Sequence, residues 1–160
     1  MTTVEQAHEL LAHPRIAIIG VSEHPTKFGN VIFDALIKHG YDAVGIHPSA
    51  PTIDGVRCYS DIASVPGDID GAIVVVRPQA SAEVVRNCIA HGIPRIWLFK
   101  GFGGPGANTD EAVELCRANG IDVIDGACPL MFLEPVSGIH RFHRRIRRMH
   151  KPAVTPAGNR

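Results

Sequence analysis

Five short apolar runs, each rich in branched side chains and followed within a few residues by glycine or proline, restrict the folds open to this chain more than anything else in it. They are Ile16-Ala17-Ile18-Ile19, Ala43-Val44-Gly45-Ile46, Ala72-Ile73-Val74-Val75-Val76, Arg95-Ile96-Trp97-Leu98-Phe99 and Ile121-Asp122-Val123-Ile124. Runs this short do not make helices, and their near-continuous apolar character suits strands covered on both faces of a parallel sheet. The segments between them carry helical signals. One helix is predicted from near Gly29 to Lys38-His39-Gly40, and one from about Ala80 to His91, closed by Gly92. Another, capped by Thr109 or Asp110, ends at Gly120, and Thr3-Val4-Glu5-Gln6 reads as a capping box for a helix ahead of the first strand. A turn-rich stretch with a short helix around Ser60 to Ser64 leads into the third strand. Strands alternating with helices give βαβ units with right-handed crossovers. The expected fold class is therefore α/β, a Rossmann-like doubly wound parallel sheet of about five strands.

The chain has 160 residues, enough for one domain with a sizeable core. Residues 1–135 are assigned to that domain and residues 136–160 to a basic helical tail. The first residues lack the basic and apolar regions of a secretion signal, and no apolar run approaches membrane-span length, so a soluble, cytoplasmic protein is expected, with no membrane partner. Cys58, Cys88, Cys116 and Cys128 are widely separated and are read as reduced thiols, Cys128 as an inert one. Nine histidines form no metal motif, and His140 and His143 lie among arginines, so no metal site is expected.

In an open parallel sheet the ligand crevice lies beyond the carboxyl ends of the strands, where the strand order reverses. The first such end opens the loop Gly20-Val21-Ser22-Glu23-His24-Pro25-Thr26-Lys27-Phe28-Gly29, whose glycines let backbone approach a phosphate at a helix start. The second carries His47-Pro48-Ser49 and the third Arg77-Pro78. The fourth carries Lys100-Gly101-Phe102-Gly103, and the fifth Asp125-Gly126-Ala127-Cys128. The expected cofactor contacts are Gly20, Val21, Ser22, Lys27, Phe28, Gly29, His47, Pro48, Arg77, Pro78, Lys100, Gly101 and Phe102. A dinucleotide site would place an acid near the end of the second strand to hold a ribose hydroxyl; His47 stands there instead, which weighs against an ordinary NAD site. No catalytic residue is assigned, because no nucleophile is seen with a base.

These loop ends and their spacing resemble the CoA-binding domain shared by the succinyl-CoA synthetase alpha subunit, the ADP-forming acyl-CoA synthetases and small stand-alone CoA-binding proteins. The resemblance runs from about Pro14 to Phe132. The family's G-A-S-x-x-P-x-x-x-G loop corresponds to Gly20-Val21-Ser22 with Pro25 and Gly29, and its S-A-G-F loop to Phe99-Lys100-Gly101-Phe102. Its N-P-K and G-P-N-C segments correspond to His47-Pro48-Ser49 and Asp125-Gly126-Ala127-Cys128. The resemblance implies coenzyme A or an acyl-CoA as cofactor. It departs from the family at Ser49, where a lysine is customary, leaving Lys27, Arg77 or Lys100 to meet the phosphates. The synthetases also use a second domain with a phosphorylated histidine, for which no room is seen after Phe132. The reading is a CoA-binding protein without catalytic activity of its own. The alternatives are an NAD(P)-dependent oxidoreductase or acyl-CoA-processing enzyme, and a protein-interaction module with a vestigial pocket.

The net charge of zero hides an asymmetry, since residues 1–139 hold nine Lys or Arg against all sixteen acids. In the tail, Ile139, Phe142, Ile146 and Met149 recur at helical spacing on one face while arginines take the others. That stripe is expected to dock on the body or on a second subunit, making a homo-oligomer or a protein partner the expected use of the tail. Nucleic acid is the less favoured partner, since the tail carries no recognised motif.

Overall fold

In the computed structural model, residues 3–49, 52–53, 55–101 and 104–133 are described. The tail assigned to residues 136–160 and the expected contact Phe102 lie outside them.

The five apolar runs form strands β1 (Arg15–Ile19), β2 (Asp42–Ile46), β5 (Gly71–Val74), β6 (Arg95–Leu98) and β7 (Asp122–Asp125). Two more strands, β3 (Thr52–Ile53) and β4 (Val56–Tyr59), correct the expected count of about five. They lie in the stretch read as turns, where no apolar run betrays them. β4 pairs in parallel with β2, and β3 folds back antiparallel on β4 along the edge. The sheet order is β3-β4-β2-β1-β5-β6-β7, with every pair parallel except β3 with β4.

Helices α1 (Thr3–Leu11), α2 (Phe28–Lys38), α3 (Pro78–Ala90) and α4 (Asp110–Ala118) cover the two faces. Because successive strand side chains alternate, Ile16, Ile18, Ile73, Trp97 and Ile124 pack under α1 and α2. Their neighbours Ala17, Ile19, Val74, Ile96 and Leu98 pack under α3 and α4. Nearly all of these strand residues are fully buried, the double-sided burial expected of a parallel sheet. Trp97 also donates its indole N–H to the carbonyl of Ala127 at 3.0 Å and meets Phe132 edge-on at 5.5 Å. These contacts fold a short 3-10 helix, Pro129–Phe132, back over the α1 and α2 face.

Charges at the amino edge of the sheet are used internally. The Asp70 carboxylate accepts from the amide of Arg15 at 2.9 Å, and its carbonyl accepts from Arg95 at 3.3 Å. Arg15 also pairs with Asp42, and Arg95 with Glu9. Among the described residues no helix is long and apolar enough to cross a membrane.

Candidate functional site

The strand order reverses between β1 and β5. From β1 the chain runs through α2 on one face to β2; from β5 it runs through α3 on the other face to β6. The starts of α2 and α3 therefore diverge at the carboxyl edge and open a crevice between them.

Glycine makes the close approach at this point possible. Gly20 has φ +116°, and a β-carbon there would meet the backbone carbonyl of Val75, just past β5. A β-carbon on Gly29 would lie 2.3 Å from the carbonyl oxygen of Gly20, so the first turn of α2 rests directly on the end of β1. Asn30, almost fully buried, locks this loop: its side-chain oxygen accepts from the amide of Ser22 and its side-chain nitrogen donates to the carbonyl of Ser22, both at 2.7 Å. The Ser22 amide is thus occupied by protein. Phe28, the first residue of α2, stacks on Phe99 at 4.6 Å between centroids, which ties the start of α2 to the end of β6.

The helix starts differ in a way that sorts charge. Lys27 precedes α2 and Arg77 precedes α3, and in neither case does a side chain cap the first turn or an acid lie within it. In α4, by contrast, Thr109 accepts from the amide of Ala112 at 3.2 Å, and Asp110 and Glu111 fill the first turn. The amides of Asn30 and Ala80 donate to the carbonyls of Lys27 and Arg77, and with no acid or side-chain cap in either first turn the positive end of the helix dipole favours an anion at α2 and α3 and not at α4. Arg15, Arg86, Arg95 and Arg117 pair with carboxylates, whereas Lys27, Arg77 and Lys100 near the crevice, and also Lys38 at the far end of α2 and Arg57 on β4, form no ion pair with any described residue.

Beside the switch point, a cleft of about 470 Å³ lies between the ends of β1 and β2, a short 3-10 helix at Ile62–Ser64 and one face of α3. Its walls are largely apolar, with Ile19, Ile46, Ile62, Val76 and Val84, and Asp61 and Glu83 bring carboxylates to them. The hydroxyl of Ser64 and then its amide donate to Asp61 and hold its carboxyl below the usual range, so the cleft carries negative charge near neutral pH. Such a cleft accepts a neutral, flat group with N–H donors better than a phosphate.

Of the expected contacts, Gly20 and Pro48 line the cleft. Val21 is buried, and Ser22, Lys27, Phe28 and Gly29 form the neighbouring loop and the start of α2. His47 lies just past β2, where its Nδ1 accepts from the amide of Ser49, and Arg77 and Pro78 begin α3. Lys100 and Gly101 follow β6, two strands away from β1, and do not line the cleft. Sequence reading passed over Asn30, and it passed over Ala80, Val84, Asn87 and His91, which line the cleft along α3 and its end. Those four are spaced by four, three and four, a legible helical stripe. What it faced was not legible.

A profile of the CoA binding domain matches residues 14–134. The chain belongs to the CoA-binding domain family. Among curated relatives, the alpha subunit of an ADP-forming acetate–CoA ligase II from Pyrococcus furiosus is 28% identical over 123 residues, covering 72% of this chain and 27% of that protein. The chain thus spans about a quarter of the ligase subunit's length. The protein YneT from Bacillus subtilis is 25% identical over 114 residues and is covered over 81% of its length, against 71% of this chain. Among solved structures, a hypothetical protein from Pyrococcus horikoshii superposes with a TM-score of 0.74 at 23% identity, covering 82% of this chain and 89% of that one. That likeness is one of fold. A conserved hypothetical protein from Pyrococcus furiosus superposes at 0.67 with 28% identity, covering 74% of this chain and 98% of its own. Membership of the CoA-binding domain family agrees with the Rossmann-like sheet and with the resemblance carried by the loop at Gly20 and the residues after Phe99.

Proposed function

We propose that this chain binds coenzyme A or an acyl-CoA at the β1–β5 switch point, without catalytic activity of its own. The observation that carries the reading is the family match across residues 14–134, which takes in every strand end at the carboxyl edge. The charge sorting supports it. The diphosphate takes the uncapped starts of α2 and α3, with Lys27 and Arg77 beside it and Lys100 approaching from the end of β6. The base takes the apolar cleft, where Glu83 or Asp61 accepts from its amino group. The remaining arm runs across the ends of β5, β6 and β7. The ligase activity in the names of these relatives is not carried over, because the matched region is about a quarter of the ligase alpha subunit.

Titration calorimetry with CoA, acetyl-CoA, NAD and NADP tests the reading. CoA or acetyl-CoA is expected to bind most tightly, and at 100 times its dissociation constant to stabilise the fold by about 2.7 kcal/mol if it binds only the native state. Tighter binding of NAD or NADP would reverse the assignment, and turnover of acetyl-CoA would remove the claim of no catalysis.

A further inference from the structure

The exposed large apolar side chains of the described residues are Val4, Phe28, Val31, Ile37 and Met131. All five sit on α1, α2 and the 3-10 helix Pro129–Phe132, the layer covering one face of the sheet; α3 and α4, which cover the other face, contribute none. Phe28, Val31 and Ile37 belong to α2. The same helix carries Asp34, half-buried, and Lys38, exposed, one turn apart, and neither forms an ion pair with any described residue. The arginines within α3 and α4 differ in this respect, since Arg86 pairs with Glu111 and Arg117 with Glu114 and Asp125. Val31, Asp34, Ala35 and Lys38 share the outer side of α2 at spacings of three, one and three. That side thus joins apolar surface to one uncommitted charge of each sign, and a one-sided concentration of apolar surface marks an interaction site.

We propose that this face is the contact between two copies of the chain, with α2 of one laid antiparallel on α2 of the other about a two-fold axis. The charges carry the choice of occupant. Opposite charges one turn apart on one helix face are complementary to their own two-fold image: with the axis level with Leu36, Asp34 of each copy stands level with Lys38 of the other, and two residues supply two ion pairs. The same placement brings Ile37, next to the axis, beside Ile37 of the second copy. Ala35 is small and half-buried, so it leaves the two helices room to approach. Beyond α2 the apolar surface continues through Met131, 81% exposed on a 3-10 helix that packs against both α1 and α2, to Val4 on α1. Asp34 and Lys38 are not among the proposed cofactor contacts, so the pairing is independent of the CoA assignment.

The test is sedimentation equilibrium of the full chain from micromolar to near-millimolar concentration, where a monomer–dimer equilibrium is expected. Asp34→Lys and Lys38→Asp, each alone, set like charges against each other twice across the axis. Each is expected to weaken the dimer at least about tenfold, with far-ultraviolet circular dichroism unchanged. Mixing the two single variants restores opposite charges at both contacts, and the mixture is expected to form a heterodimer about as tight as the dimer of the unaltered chain. A chain that stays monomeric at the highest concentration would overturn the proposal. So would a dimer that neither single variant weakens, which would place the contact elsewhere on the chain, or a mixture that associates no better than the single variants do.

Discussion

A β-carbon on Gly20 would lie 2.0 Å from the carbonyl oxygen of Val75. The contact joins the ends of the two strands that flank the switch point, and Gly20 has in addition a positive φ that L side chains rarely adopt. Gly20→Ala is therefore expected to cost at least about 2 kcal/mol, from displaced backbone and strain together. Urea denaturation checks this, and an unchanged midpoint would mean that the end of β1 tolerates a side chain against β5.

Asn30 acts on the same loop through both of its hydrogen bonds to Ser22. Asn30→Ala leaves two backbone groups without those partners and is expected to destabilise the fold by roughly 1 to 3 kcal/mol. It is also expected to weaken CoA binding, because the loop that presents the start of α2 loses its lock. Denaturation and calorimetry on one preparation separate the two effects; full CoA affinity in a destabilised variant would show that Asn30 serves folding alone.

The cations differ in what they are free to do. Arg77→Ala and Lys100→Ala are each expected to weaken CoA binding by roughly 1 to 3 kcal/mol, the scale of a lost charge-assisted contact. Arg86→Ala, which removes an exposed pair with Glu111, should leave binding unchanged and stability within about 1 kcal/mol. Equal effects of all three on affinity would point to general charge attraction instead of a site at the helix starts.

The thiols make a prediction about pH. Burial, with the neighbouring Cys116 thiol adding to it, pushes Cys88 up to about 12, and burial pushes Cys116 up to about 11, from an ordinary value of 9.0. A raised folded value means that the unfolded chain releases these protons first. The stability they contribute is full below pH 9 and is lost as pH rises from there toward 11 to 12. Unfolding free energy should fall by up to roughly 1.4 kcal/mol per pH unit from Cys88 in that window, and Cys88→Ala should remove this part of the slope.

Accessibility separates the same cysteines at neutral pH. Cys58, Cys88 and Cys116 are buried and Cys128 is partly exposed. A thiol reagent is expected to modify Cys128 first in the native protein and all four in denaturant. Rapid native modification of Cys88 would contradict the packing of α3 on the sheet.

The alternation of strands and helices is written locally along the chain. A buried parallel strand needs a continuous apolar run, and a helix needs its caps and periodicity, and both are short-range patterns. The loop at Gly20 was legible for a related reason, because a backbone that must pass close to another leaves glycine as its trace. The hairpin at β3 and β4 was not legible, since Thr52–Ile53 and Val56–Tyr59 are edge strands whose mixed residues become strands only by pairing with β2. The role of Asn30 and the cleft wall on α3 likewise emerge only once the chain is folded. An amide that bonds a backbone eight residues away looks like any polar helix residue, and a stripe on α3 says nothing of what it faces. The pairing of Arg15 and Arg95 was no more legible, since their partners lie far away in sequence and come close only when the sheet is assembled.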